Sequence, residues 1–316
     1  MSDDLRLSLR ALRAFATVVE QGSISAAAKV LNIAPSAIGA ALDQVETEFG
    51  ADLLVRTRAR GIAATAEGIE VAARFRALLE DYAELMDAGR DLGQSLSGTL
   101  RIGYYAPVAP AFLPQILCPM MAANPGLTLE LKEHDNDSAQ EALLAGALDV
   151  ILFAGHDLRR GIETELLLEL PPYVLAPEGH EITRQVPVPV KALADYPLVQ
   201  LDLPLARPYL DRLFQSAGIA PKVAVRASST EMVRGMVGAG AGVSVLAMRP
   251  MINVSYGGDR LVTVPLEPDV PQLQLLSGRV SGRPRKLVSV FLQILHGWMQ
   301  SEAAGELTVG VGSHAG

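Results

Sequence analysis

The chain has 316 residues, 49% of them hydrophobic and 20% charged, with a formal net charge of −8. That composition supports two or three ordinary folded domains, and its acidity argues against a protein that coats nucleic acid without sequence preference. No run of 18 uncharged apolar residues occurs, and Asp3, Asp4, Arg6 and Arg10 stand where a secretory leader would be apolar, so neither a membrane span nor a signal peptide is expected.

Leu9 to Gln21 predicts an amphipathic helix with Leu9, Leu12, Phe15, Ala16 and Val19 on one face. Gly22 ends it, and Ser23 can cap a short second helix through Ala26, Ala27, Val30 and Leu31. Asn32-Ile33-Ala34 is a turn. Pro35 suits the first turn of a third helix, where a missing N–H does no harm, and Ile38, Leu42, Val45 and Phe49 give that helix one core face before Gly50. Arg56 to Ala63 is a candidate two-stranded wing. From Thr65 to about Leu92, apolar residues recur at spacings of three and four (Ile69, Ala72, Phe75, Leu78, Leu79, Tyr82, Leu85, Met86), predicting one long helix. Its seam needs either a partner helix or its own domain to pack on. Gly93 to Gly98 is a hinge.

From Thr99 strands alternate with helices, which predicts parallel sheets covered by helices on both faces. Strands are expected at 99–105, 127–132 and 149–153, with helices at 112–123 and 138–147. A second unit has strands at 197–201, 223–227 and 242–246, with helices at 209–217 and 230–238. The segment 272–278 is expected to return as a strand to the first unit, followed by a helix over 284–301. The small, polar end of the chain, 302–316, is expected to be disordered.

The residues Leu9-Arg10-Ala11-Leu12, Phe15, Gly22 to Leu31, Arg56-Thr57 and Thr65-Ala66-Glu67-Gly68 resemble, at fixed spacing, the winged helix-turn-helix of LysR-type transcriptional regulators. Leu100-Arg101-Ile102-Gly103 and the stretch from Glu231-Met232-Val233 to Gly238-Ala239-Gly240-Ala241-Gly242-Val243 resemble that family's regulatory domain. The resemblance covers about residues 7–301. It implies an all-α winged helix-turn-helix (7–64, with the helix-turn-helix at 24–43) and a linker and dimerisation helix with its hinge (65–97). An α/β, periplasmic-binding-protein-like effector domain of two Rossmann-like subdomains follows at 98–301. Subdomain I takes about 98–170 and 270–301, and subdomain II about 171–269. The family also implies double-stranded operator DNA, a small-molecule effector and a second or fourth copy of the chain as partners, and a cytoplasmic location.

The third helix should enter the major groove, N-terminal residues first. Where the family usually places Ser-Arg-Gln, this chain has Gly39, Ala40 and Ala41, and a common later basic position is Asp43. Arg and Gln supply the bidentate contacts that discriminate bases. The expected DNA contacts are therefore Pro35, Ser36, Ala37, Gly39, Ala40, Asp43 and Gln44. Methyl contacts and DNA shape would carry specificity, and Arg56, Arg58 and Arg60 would reach phosphates. Ser36 could instead cap the helix, Arg56 could serve a structural ion pair, and the domain could be a degenerate, weak DNA binder. Residues 1–60 hold seven basic and seven acidic side chains, so the acidity lies downstream.

Two α/β units bind ligands in the crevice between them. Candidates are Tyr104, Tyr105 and Ala106 after the first strand, Arg207 as a carboxylate clamp, and Ser228, Ser229 and Thr230 at a helix start. For the tyrosines ordinary core packing is the alternative, for Arg207 a surface position, and for the Ser-Ser-Thr run simple capping. Together they favour a small carboxylate-bearing effector. A solute-binding transport protein shares this architecture but leaves residues 1–92 unexplained. His134, His156, His180, His296 and His314 show no metal-ligand spacing, and Gly238 to Gly242 has the order helix-to-strand, reversed for a dinucleotide loop, so it predicts a helix stop. No metal, cofactor or catalytic constellation is expected. Cys118, the single cysteine, cannot form an intramolecular disulfide; it is expected to be a buried, inert thiol in a reducing cytosol.

Overall fold

The computed structural model describes residues 7–57, 61–90, 96–155 and 158–310. Two compact units emerge: residues 1–101 with 124–130 and 140–149, and residues 102–123, 131–139 and 150–316.

In the first unit, helices α1 (Leu9–Gln21), α2 (Ile24–Leu31) and α3 (Pro35–Phe49) follow the expected stops and starts. Ser8 Oγ accepts from the Ala11 N–H and Ser23 Oγ from the Ala26 N–H, while Gly22 at φ +63° closes α1 in the left-handed region. Phe15, Val18, Ala27, Ile38, Leu42 and Val45 form its core. Strands β1 (Leu54–Thr57) and β2 (Gly61–Ala64) pair antiparallel as the wing, and the Ile62 N–H donates to the Gly22 carbonyl, tying wing to α1. Helix α4 (Ala66–Arg90) resolves the question of its seam by splitting it. Ala72 and Phe75 are buried in this core, where Phe75 meets Phe15 and Phe49 edge-on. Ile69, Leu78, Tyr82 and Met86 face outward, each more than 40% exposed. Phe49, expected in the core, is half exposed: it lies at the last turn of α3, where its ring meets Phe75 edge-on.

The α/β part runs β3 (Gly98–Tyr104), α5 (Leu113–Ala123), β4 (Leu127–Glu133), α6 (Asn136–Leu144), β5 (Val150–Ala154), β6 (Ile162–Leu170), β7 (Tyr173–Pro177), β8 (Pro197–Leu201), α7 (Ala206–Ser216), β9 (Lys222–Ala227), α8 (Thr230–Gly238), β10 (Ser244–Leu246), β11 (Leu261–Pro265), β12 (Leu273–Val280), α9 (Lys286–Met299) and α10 (Glu302–Gly305). The first sheet has the order β4-β3-β5-β12-β6. β3 and β5 are parallel, and β12 returns antiparallel to β5 and β6 as the second crossing of the chain. In the second lobe β8 and β9 are parallel, but β7 pairs antiparallel with β10 and β11. The all-parallel expectation therefore fails here, because three strands lacked a readable signal. β6, Ile-Glu-Thr-Glu-Leu-Leu-Leu-Glu-Leu, is built of residues with weak strand propensity. β7 and β11 are short apolar runs buried from end to end or nearly so, with no alternation to mark them.

The Gly238–Gly242 stretch is a helix stop, and Gly242 marks a close approach of strands. At φ +143°, a Cβ there would lie 2.1 Å from the Pro197 carbonyl oxygen. Two expectations are overturned. Residues 302–310 are ordered: α10 follows α9, Ala304, Leu307 and Val309 are buried, and Leu307 accepts from the Arg249 N–H. Apolar spacing within a Gly-rich, small-residue stretch was enough to dock it; residues 311–316 lie outside the described residues. Cys118 is exposed, since Leu113, Ile116, Leu117 and Met120 take the buried face of α5 and leave position 118 outside. No single helix among the described residues is long and apolar enough to cross a membrane.

Candidate nucleic-acid interface and ligand cleft

Helix α3 packs through Ile38, Leu42 and Val45, so geometry at 100° per residue turns the other side outward. Pro35, Ser36, Ala37, Ala40, Asp43 and Gln44 are exposed on that side, with Gly39 half-buried among them. Ser36 caps nothing; Ala34 is the N-cap and α3 has no side-chain cap. A Cβ at Gly39 would meet nothing within 4 Å, so this face is open as well as small. Arg56 belongs to β1, but its side chain, like Arg58 and Arg60, lies outside the described residues. Sequence reading missed Glu46. Its carboxylate accepts both the Leu53 and Leu54 N–H groups at 2.9 Å, fixing the turn from α3 into the wing. A lone Glu on a helix carries no sequence signal for such a role.

In the second unit an apolar cleft of about 40 Å³, open at its mouth, is formed by the loop after β3, the end of β5, the start of α7, and Val245 to Met248. Its walls include Val108, Leu201, Leu210, Leu246, Met248 and Leu273, and none of its lining residues is charged. Tyr105 lines it. The Tyr105 N–H donates to the Leu152 carbonyl and its own carbonyl accepts from Val108 and Ala109, a turn that fixes the ring against the cleft. Burial raises the Tyr105 phenol far above its ordinary pKa, so it stays protonated and can donate. Tyr209 also lines the cleft, but its hydroxyl is committed to the Pro271 carbonyl at 2.6 Å. Thr230 lines it from the first turn of α8.

The other sequence candidates do not reach this cleft. Tyr104 and Ala106 flank Tyr105 without lining it. Ser229 caps α8 by accepting from the Met232 N–H, and Ser228 is exposed. Arg207 is 57% exposed and sits 3.7 Å from Asp202 and 4.0 Å from Asp211, a surface ion-pair position that denies the expected clamp its role here. The second position of α7 points away from the face that Ala206, Tyr209 and Leu210 present to the cleft. Tyr209, Leu210, Met248 and Leu273 were not singled out from sequence, because apolar cleft residues are indistinguishable there from core. Of the histidines, His134 meets Ser138, His180 accepts from Ile182, and His296 pairs with Glu165; His156 and His314 lie outside the described residues. No cluster of three metal-ligating side chains occurs among the described residues.

Residues 9–69 match the family model described as bacterial regulatory helix-turn-helix protein, lysR family, and residues 93–300 match that of the LysR substrate binding domain. A relative from Mycobacterium leprae named "Probable hydrogen peroxide-inducible genes activator" is 34% identical over 200 residues, which span 62% of this chain and 62% of that protein. AlsR of Bacillus subtilis, an HTH-type transcriptional regulator, is 27% identical over 75% of this chain and 80% of its own. The crystal structure of HinK, a LysR family transcriptional regulator from Pseudomonas aeruginosa, matches 93% of this chain and 98% of its own at 30% identity and a TM-score of 0.61. With the two models together covering most of its length, the chain belongs to the LysR family of transcriptional regulators.

Proposed function

We propose that this protein binds double-stranded operator DNA in a sequence-dependent way through α3 and the wing, and that a small molecule in the apolar cleft controls the transcription it directs. The observation that carries this reading is the open, small-residue face of α3, displayed by a helix whose opposite face is locked into the core. The apolar residues exposed on α4 support assembly through that helix into a dimer or tetramer. Action on DNA supports a cytoplasmic location. A solute-binding transport role leaves the helix-turn-helix without a purpose.

A gel-shift titration with the intergenic DNA upstream of the protein's own gene tests the proposal. Saturable binding that outlasts excess nonspecific competitor is expected, and no retained complex over the competitor background sinks it. Arg58→Ala is expected to weaken binding to all sequences alike and to lower the slope of log affinity against log salt by about 1; an unchanged slope removes Arg58 from the phosphate contacts. Gly39→Ala has room for its methyl group and should stabilise α3 by about 0.5–1 kcal/mol. If α3 sits on the groove floor at Gly39, the same change weakens operator binding while raising the melting temperature. Tighter or equal binding would place Gly39 off the DNA.

A further inference from the structure

Two hydroxyl-bearing residues line the cleft, Tyr105 and Thr230, and neither side-chain oxygen has a hydrogen-bond partner among the described residues. Three neighbouring hydroxyls are committed: that of Tyr209 to Pro271, that of Tyr173 to Met248, and that of Ser229 to Met232. The remaining walls are Val, Leu, Ala, Met and Pro side chains. Such a surface pays heavily to desolvate an ion, because no opposite charge lines it and two hydroxyls replace only part of a carboxylate's water shell. An uncharged, apolar molecule meets no such penalty, and one carrying a hydroxyl or carbonyl satisfies the two orphan hydroxyls.

We infer that the cleft is built for a neutral, largely apolar group, held by one or two hydrogen bonds to Tyr105 and Thr230. This rests on the effector reading of the cleft proposed above, and it replaces the carboxylate-bearing effector expected from Arg207. The buried phenol remains a donor across the physiological range, so binding is independent of pH between 6 and 8 unless the ligand itself titrates.

The test uses the full-length protein and three probes of one shape: benzyl alcohol, benzoate and benzylamine. Binding is followed by calorimetry and ligand-observed NMR, in the wild type, in Tyr105→Phe, in Thr230→Val and in Ala206→Trp, which fills the cleft from the α7 side. Benzyl alcohol is expected to bind at least 10-fold more tightly than either ion. Tyr105→Phe and Thr230→Val should each weaken it by about 3- to 10-fold, with unchanged melting temperatures showing that the fold survives. Ala206→Trp should abolish it. Benzoate or benzylamine binding as well as the alcohol, yet still lost in Ala206→Trp, overturns the neutral-ligand class while leaving the cleft as the effector site. Alcohol binding that persists in Ala206→Trp overturns the cleft reading itself. Failure of the alcohol to bind up to its solubility limit overturns the ligand class.

Discussion

Gly68→Ala is expected to unfold the DNA-binding unit locally and cut operator affinity by more than about 10-fold. Gly68 lies in the first turn of α4, where its N–H donates to Thr65 Oγ1 at 3.0 Å. A Cβ at this position would stand 2.0 Å from the Leu53 carbonyl oxygen and 3.0 Å from its carbon. Neither atom belongs to a flexible side chain. The same Leu53 carbonyl accepts the Thr65 N–H at 3.0 Å, and the Leu53 N–H is held by Glu46. The methyl group therefore pushes on a backbone fixed from both sides, and either α4 or the start of the wing must move. Overpacking against backbone costs about 3 kcal/mol, which for a unit of this size lowers the melting temperature by more than about 10 °C. Thermal unfolding and gel shifts, run beside Gly39→Ala as a helix glycine with open space, check this. A Gly68→Ala protein that melts with the wild type would show that Leu53 can yield.

Arg234→Ala is expected to have the second large effect, on the α/β part. Arg234 is 1% exposed inside α8. Its Nη2 donates to the carbonyls of Ile252 and Val254 at 2.8 and 2.9 Å, and its Nε lies 3.3 Å from Glu231 without being aligned to donate to it. The guanidinium thus anchors 252–254, a few residues beyond Met248 in the cleft wall. Alanine leaves a void and strips both carbonyls of their donor. Breaking a buried charge contact of this kind costs about 3–5 kcal/mol. The expected readouts are a melting temperature lowered by about 6–15 °C and faster amide exchange across 248–255. Arg234→Lys should recover only part of this, because the lysine nitrogen stands about where the guanidinium carbon does, one bond short of Nη2, and its point charge is more strongly hydrated. Equal protection of 248–255 in wild type and Arg234→Ala would refute the anchoring role.

Most element boundaries in the helix-turn-helix were legible because each has its own local chemistry. Ser23 caps, Gly22 and Gly50 close, Pro35 opens, and the 3.6-residue period selects Ile38, Leu42 and Val45 for the core. The outward face of α3 followed from the same period, which is why its unusual residues could be named before their positions were known. The alternating α/β pattern of 98–301 was legible for the same reason, down to β12 returning to the first sheet. β6, β7 and β11 were not, because their strand character depends on pairing rather than on their own residues.

Long-range placement decided the rest. Arg207, on α7 near a strand end, looked like a ligand clamp, but only the fold shows it between Asp202 and Asp211 at the surface. Cys118 looked like core until its helix chose another face, and the chain end looked disordered until Leu307 and Val309 found buried positions. By itself, the sequence determined the family, the outward face of α3 and the period of most regular elements, all of which rest on interactions within a few residues. Only the tertiary structure decided the character of the cleft. Its walls come from segments more than a hundred residues apart, and Tyr105 and Thr230 share a cavity only because the fold brings those segments together.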